Sequence, residues 1–412
     1  MTLKRSAFID LFNAVGRVWQ RTGFPLVPLK VERLLKQAQQ QTGLNDFGDD
    51  SFREPLRLLC EACHEEARLT LIGHLAFRTD TLRFLTNRLR LVEDRKRYNQ
   101  IALQAIRQPI FIVGLPRTGS TLLHRLLGQD PANRVPLTWE VMFPSPPPEL
   151  GKCQDDPRIA KTQKLLKFID RLAPDFKVIH PMDARFATEC VGILGHTFAS
   201  YHFRNMYDIP SYQQWLNDAD LFPAYEFHRQ FLQHLQWRYP GARWVLKAPP
   251  HLFALKAIFE IYPDARIIWT HRHPKSVLAS VVSLDNTLRH AFSDHQDPQA
   301  IGRENLAHFA DHLERAMLLR DSPGHWQDRF LDVYYHDLIK DPIGQIREIY
   351  HQLDLTLTNA VVNKMERFLK EEPKDKRGVH TYSLERFGLH AEMITAHFKS
   401  YLERFQLDSA FL

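Results

Sequence analysis

The chain has 412 residues, 44% of them hydrophobic and 25% charged, with a formal net charge of +6. Its 27 Phe, 12 Tyr and 7 Trp exclude a wholly disordered chain, and its 17 Gly exclude a collagen-like one. The mild positive charge suits a polyanionic small ligand but is too weak to argue for nucleic acid, and no apolar run reaches the ~18 residues of a membrane span.

The opening stretch, MTLKRSAFIDLFNAVGRVWQ, starts basic. Asp10 and Asn13 interrupt the apolar run that a secretory signal needs, so the spacing predicts an amphipathic helix instead. Residues up to about 105 read as helices, most clearly SFREPLRLLCEACHEEARLTLIGHLAFRTDTLRFLTNRLRLVEDR, with apolar residues three and four apart. Cys60 and Cys63 form a CxxC inside this stretch, while Cys153 and Cys190 stand alone. No disulfide framework and no four-ligand zinc spacing follows. Two packed helix thiols in a reducing cytoplasm fit this usage.

The pattern changes at Gln108. QPIFIVG is a short apolar run rich in β-branched residues, bounded by Pro109 and Gly114, as in a strand buried on both faces. LPRTGS follows, and then the amphipathic helix TLLHRLLGQD. Gly114-Leu-Pro-Arg-Thr-Gly-Ser-Thr has the GxxxxG-x-[ST] shape of a phosphate-binding loop, whose backbone N–H groups and following helix N-terminus face an anion. The nucleotide-hydrolase form requires Lys directly before the Ser/Thr; here that position is Ser120, and the cation is Arg117 within the loop. Phosphate binding is therefore favoured over Mg²⁺-ATP hydrolysis, with a P-loop kinase or a non-catalytic nucleotide-binding module as the alternatives.

After the proline-rich break PSPPPELG (144–151), a largely helical stretch runs to about 238. RWVLKAPP, RIIWTHRHP and FLDVYYHDL read as further strands. Helices HLFALKAIFEIY, KSVLASVVSL, residues 299–320 and DPIGQIREIYHQL separate or follow them. This alternation predicts an α/β, P-loop-type three-layer fold with a central parallel sheet. Residues 1–105 form an N-terminal helical extension, 106–412 the α/β domain, and about 151–240 a helical insertion. Chemistry is expected at the carboxyl ends of the strands. The aromatic segment HTFASYHFRNMYDIPSYQQWL is either an apolar acceptor wall or the core of a helical layer.

PRTGSTLLHRLL resembles the 5′-phosphosulfate loop of sulfotransferases that use 3′-phosphoadenosine 5′-phosphosulfate (PAPS). RIIWTHRHPKSVLASVVSL is similar to that family's strand-loop-helix for the 3′-phosphate, marked by Arg272 and Ser280. VYYHDLIKDPIGQIREIYHQL looks like its tyrosine-acidic-leucine strand end and DP-initiated helix. KDKRGVHTYSLERFGL looks like the late loop whose Arg377 and Gly378 close over the 3′-phosphate. These motifs follow in order over roughly 108–410, and the N-terminal helices look like the longer bacterial branch. The phenol and steroid enzymes of the family usually carry Lys where Arg117 stands, and their Lys-Thr-His is Lys247-Ala-Pro-Pro-His251 here.

The resemblance implies an enzyme that moves a sulfuryl group from PAPS to a hydroxyl or amine of a small-molecule, lipid or glycan acceptor; the cysteine usage fits a cytoplasmic protein, and no acidic cluster demands a metal. Pro116, Arg117, Thr118, Gly119, Ser120 and Thr121 would hold the 5′ end, and Arg272, Ser280, Arg377 and Gly378 the 3′-phosphate. Arg117 and Lys247 can neutralise charge on the sulfuryl and leaving oxygens. Glu140 and His251 are both candidates for the base. His124 reads as a packing residue or a backbone partner. His271 and His273, beside Arg272, are expected to be exposed, and His380 and Tyr382 are further candidates for lining the site.

Overall fold

The computed structural model describes residues 7–20, 29–172, 182–323, 326–372 and 384–407. The chain divides into two compact units, one from residues 1–105, 137–240 and 285–296, the other from 106–136, 241–284 and 297–412.

The second unit is built on a five-stranded sheet: β1 Ile110–Gly114, β2 Asn133–Arg134, β3 Arg243–Lys247, β4 Arg266–His271 and β5 Phe330–Tyr334. The order is β2-β3-β1-β4-β5, and every neighbouring pair is parallel. All five β1 residues are buried, as a strand covered on both faces requires. The pleat sorts the side chains by parity. Ile110, Ile112, Val245, Ile268, Leu331 and Val333 share one core with residues of the helices Ser120–Leu127 and Pro342–Gln352. On the other face Phe111 meets Tyr262 at 5.3 Å, Phe330 meets Phe259 at 5.9 Å and Trp269 meets Phe405 at 5.3 Å. Helices on both faces make the three layers that the alternation predicts.

Two details differ from the sequence reading. β2 has no apolar run to announce it. It forms because Asn133 and Arg134 pair with Arg243 and Trp244, while the Asn133 amide donates to Leu127 O at 2.9 Å and to Tyr350 Oη at 3.2 Å. β5 stops at Tyr334, and Tyr335–Lys340 is helical, so the YHDL segment is not strand. Leu338 is buried in the core from that helical turn. Asp341 caps the next helix by accepting from Gly344 N at 2.8 Å, with Pro342 in its first turn.

The first unit is helical, with Ala7–Gln20, Val31–Thr42, Arg53–Glu65, Leu71–Arg97 and Phe222–Gln236 among its helices. Phe198, Tyr201, Phe203, Tyr207 and Tyr212 are all buried, so the aromatic segment is the core of this helical layer. Phe84 lies edge-on to Phe198 at 6.2 Å and to Phe203 at 5.9 Å. Arg88, also buried, donates to Phe47 O and Asp49 Oδ2 at 2.7 Å each, and its guanidinium stands 4.4 and 4.5 Å from the Phe52 and Phe227 ring centres. Cys60 and Cys63 are buried thiols.

Candidate active site

The loop between β1 and the helix Ser120–Leu127 is shaped by its backbone. Gly114 has φ 129°, and a Cβ there would fall 2.4 Å from the Thr270 carbonyl oxygen, so only glycine lets β1 end against β4. Arg117 occupies the left-handed region (φ 67°), and Gly119 follows with φ 84°. A non-glycine residue held there marks a loop whose conformation the surroundings enforce. Thr118 supplies part of that enforcement. Its buried hydroxyl donates to Leu115 O at 2.7 Å and lies 2.6 Å from Thr270 Oγ1. Pro116 is half-buried, Ser120 is buried, and Arg117 and Thr121 are exposed. The loop thus ends on a helix N-terminus, whose first N–H groups have no partner within the helix, with a cation and hydroxyls in the same segment.

Arg272, directly after β4, reaches back over this loop. Its Nη1 donates to Arg117 O at 2.9 Å, and its guanidinium sits 4.0 Å from the centre of the Tyr335 ring. Burial lowers its pKa below the usual arginine value, and the neighbouring Arg117 adds to the effect. Ser280, two turns into the helix Pro274–Phe292, is buried, and its Oγ has no hydrogen-bond partner among the described residues. A buried hydroxyl left unsatisfied is unusual and suits a ligand oxygen.

Lys247 closes β3 opposite Ile112 of β1. By parity its side chain lies on the face of Val245, the face covered by the helix Ser120–Leu127. His251 lies within the short 3-10 helix Pro249–Ala254, fully buried and edge-on to Phe111 at 5.0 Å. His124 Nε2 stands 3.1 Å from Val245 O, the backbone role expected of it. The second unit therefore carries Arg117, Ser120, Thr121, Lys247, His251, Arg272 and Ser280 at or just beyond its strand ends. Glu140 belongs to the first unit. It is fully buried on the helix Thr138–Met142, and its Oε2 accepts from Leu137 N at 3.0 Å, closing the first turn of its own helix. Arg377, Gly378, His380 and Tyr382 lie outside the described residues.

His271 and His273 are buried, contrary to the exposure expected of them. His271 stands on the face opposite Lys247, with Nε2 2.9 Å from Asp332 Oδ1 and Nδ1 3.0 Å from Tyr401 Oη. Arg320 holds both Asp332 oxygens at 2.7 and 2.9 Å. Burial lowers the His271 pKa, so the imidazole is neutral. Burial acts to raise the Asp332 pKa, but the hydrogen bonds from His271 and Arg320 prevail and hold it at about 2. Sequence reasoning missed this network and the Tyr335 platform under Arg272. Tyr335 sits in the quoted VYYHDL motif, whereas Asp332 and Tyr401 lie 61 and 130 residues from His271 in the chain.

Comparison with known proteins shows the family. The sulfotransferase family model matches residues 109–359. The solved structure of sulfotransferase STF1 from Mycobacterium tuberculosis is 34% identical, with a TM-score of 0.81 over 90% of this chain and 98% of that one. STF9 from Mycobacterium avium is 29% identical, with a TM-score of 0.85 over 92% and 98%. The omega-hydroxy-beta-dihydromenaquinone-9 sulfotransferase Stf3 of Mycobacterium bovis is 25% identical over 318 residues, 73% of this chain and 75% of its own length. With the matched region spanning the phosphate loop, Lys247, Arg272 and Ser280, this chain belongs to the sulfotransferase family and is a sulfotransferase enzyme.

Proposed function

We propose that the enzyme takes its sulfuryl group from PAPS and delivers it to a hydroxyl of a lipid acceptor. The observations that carry the donor are Arg272, tied to the phosphate loop, and Ser280, whose buried hydroxyl lacks a partner among the described residues. An arginine fork and a buried hydroxyl fit a phosphate monoester, which the 3′ end of PAPS provides. The lipid acceptor is supported by the Mycobacterium bovis relative, named for a menaquinone lipid.

PAPS supplies a sulfuryl group activated by a phosphate leaving group. The chain's own residues do the rest. The loop N–H groups, Ser120 and Thr121 orient the 5′ end, and Arg117 offsets charge on the sulfuryl oxygens. Arg272 and Ser280 hold the 3′-phosphate, with Arg377 and Gly378 closing over it. Lys247 places an ammonium beside the leaving oxygen. Glu140 or His251 accepts the proton of the attacking hydroxyl.

The test incubates the purified enzyme with PAPS and a hydroxylated quinone lipid, then looks by mass spectrometry for the gain of one sulfuryl group. Binding of 3′-phosphoadenosine 5′-phosphate should need no Mg²⁺. Glu140→Gln and His251→Asn separate the bases: the true base loses about 100-fold or more in kcat with donor Kd unchanged, and the other variant changes mainly acceptor KM. If neither substitution slows turnover, the base assignment fails.

A further inference from the structure

The outer face of the helix Ala7–Gln20 has no part in the core or in the reaction above. Its inner face is docked: Ile9 and Asn13 are buried, and Asn13 Oδ1 accepts from Ile72 N at 3.2 Å. Gly16 allows the close approach, since a Cβ there would fall 2.6 Å from Leu71 Cβ. On the far side Leu11, Val15 and Val18 are 67%, 57% and 65% exposed. Spaced i, i+4 and i+7, they form one stripe within about 60° of the helix circumference. Asp10 and Arg17 lie between the two faces, and Arg17 is paired with Asp294 at 2.9 Å. Three large apolar side chains aligned on a helix already packed elsewhere are more than scattered surface exposure.

The sequence on either side of this helix indicates what covers the stripe. Residues 1–30 contain Lys4, Arg5, Arg17, Arg21 and Lys30 against Asp10 alone, a net +4 of the chain's +6. An apolar stripe in a cationic segment is the chemistry of a helix lying in the plane of an anionic membrane surface. A second copy of this chain would set two such cationic segments against each other. Among the described residues no helix is long and apolar enough to cross a membrane, so contact would be confined to the interface.

We propose that the Leu11, Val15 and Val18 face is a membrane-contact surface that seats the enzyme on anionic lipid. The proposal rests on this helix alone and stands or falls separately from the lipid-acceptor reading. The test is co-sedimentation of the full chain with phosphatidylcholine vesicles, with and without phosphatidylglycerol, at low and high salt. The wild type should sediment with the anionic vesicles, less so as salt rises. The triple variant Leu11→Ser, Val15→Ser, Val18→Ser should lose about tenfold or more of this partitioning with circular dichroism unchanged. Should the triple variant unfold, Leu11→Ser alone should still weaken binding measurably. Equal binding of folded variant and wild type, no wild-type binding to anionic vesicles, or a dimer that the substitutions convert to a monomer would each overturn the proposal.

Discussion

Ser280→Ala should change stability and ligand affinity in opposite directions. In the free protein the Ser280 hydroxyl is buried without a hydrogen-bond partner among the described residues. An unsatisfied buried polar group costs about 1–3 kcal/mol. Alanine removes that cost, and in the interior of the helix Pro274–Phe292 it gains up to about 0.5 kcal/mol of intrinsic propensity. The small void left behind opposes part of this, leaving a net gain of about 1 kcal/mol. For a unit of this size that corresponds to a rise in Tm of roughly 2–4 °C. With 3′-phosphoadenosine 5′-phosphate bound, the same change removes a hydrogen bond of about 0.5–1.5 kcal/mol, which weakens binding about two- to tenfold. Thermal unfolding with and without the nucleotide reads both terms, and titration with adenosine 5′-phosphate, which lacks the 3′-phosphate, provides the control. Affinity for the control should not move. A lower Tm in the free variant, or unchanged preference for the 3′-phosphate, would refute the assignment of Ser280 to that phosphate.

Arg272→Ala should weaken binding of the 3′-phosphorylated nucleotide by about 1.5–3 kcal/mol, or 10- to 150-fold by calorimetry, and Arg272→Lys should recover only part of this because a point charge cannot replace the fork seated on Tyr335. Asp332, held at about 2, is depressed below its unfolded value, so it contributes stability above about pH 4 that is lost as the pH falls toward 2. Buried, neutral His271 acts in the same direction, because below about pH 6.5 the unfolded chain binds a proton that the folded imidazole resists. Acid titration of Asp332→Asn, followed by fluorescence, should show a lower plateau near neutral pH and a shallower acid limb; a limb as steep as wild type counts against the network. Burial pushes the Cys60 thiol up to about 12 and raises Cys63 as well, so alkylation of the folded protein at mildly alkaline pH should label half-buried Cys153 first, as peptide mapping would show. Early labelling of Cys60 would mean that the helix Arg53–Glu65 opens readily.

Much of the sheet was legible in the amino-acid order because β1, β3 and β4 are covered on both faces, whereas the edge strand β5 alternates buried and half-buried residues. Strands covered on both faces must be continuous apolar runs, and IFIVG, RWVLK and RIIWTH announce themselves without tertiary information. The phosphate loop was legible for a similar reason: its glycines and hydroxyls act through a backbone turn a few residues long. Short-range patterns of this kind carry their physics within one segment, including the docked amphipathic helix at residues 7–20.

Tertiary structure decided what depends on partners far away in the chain. β2 exists only through pairing with β3 and an asparagine bonded to Tyr350, neither of which leaves a hydropathy pattern. The end of β5 at Tyr334 follows from Leu338 turning into the core, a choice between strand and helix that YYHDL leaves open. His271 follows the strand parity that turns it away from Lys247 toward Asp332 and Tyr401, and both contacts are invisible along the chain because they span 61 and 130 residues. The grouping of residues 1–105, 137–240 and 285–296 into one helical unit has the same origin. Helical segments carry only an apolar face, and which faces meet is settled by packing, since burial is non-directional and any complementary face would serve.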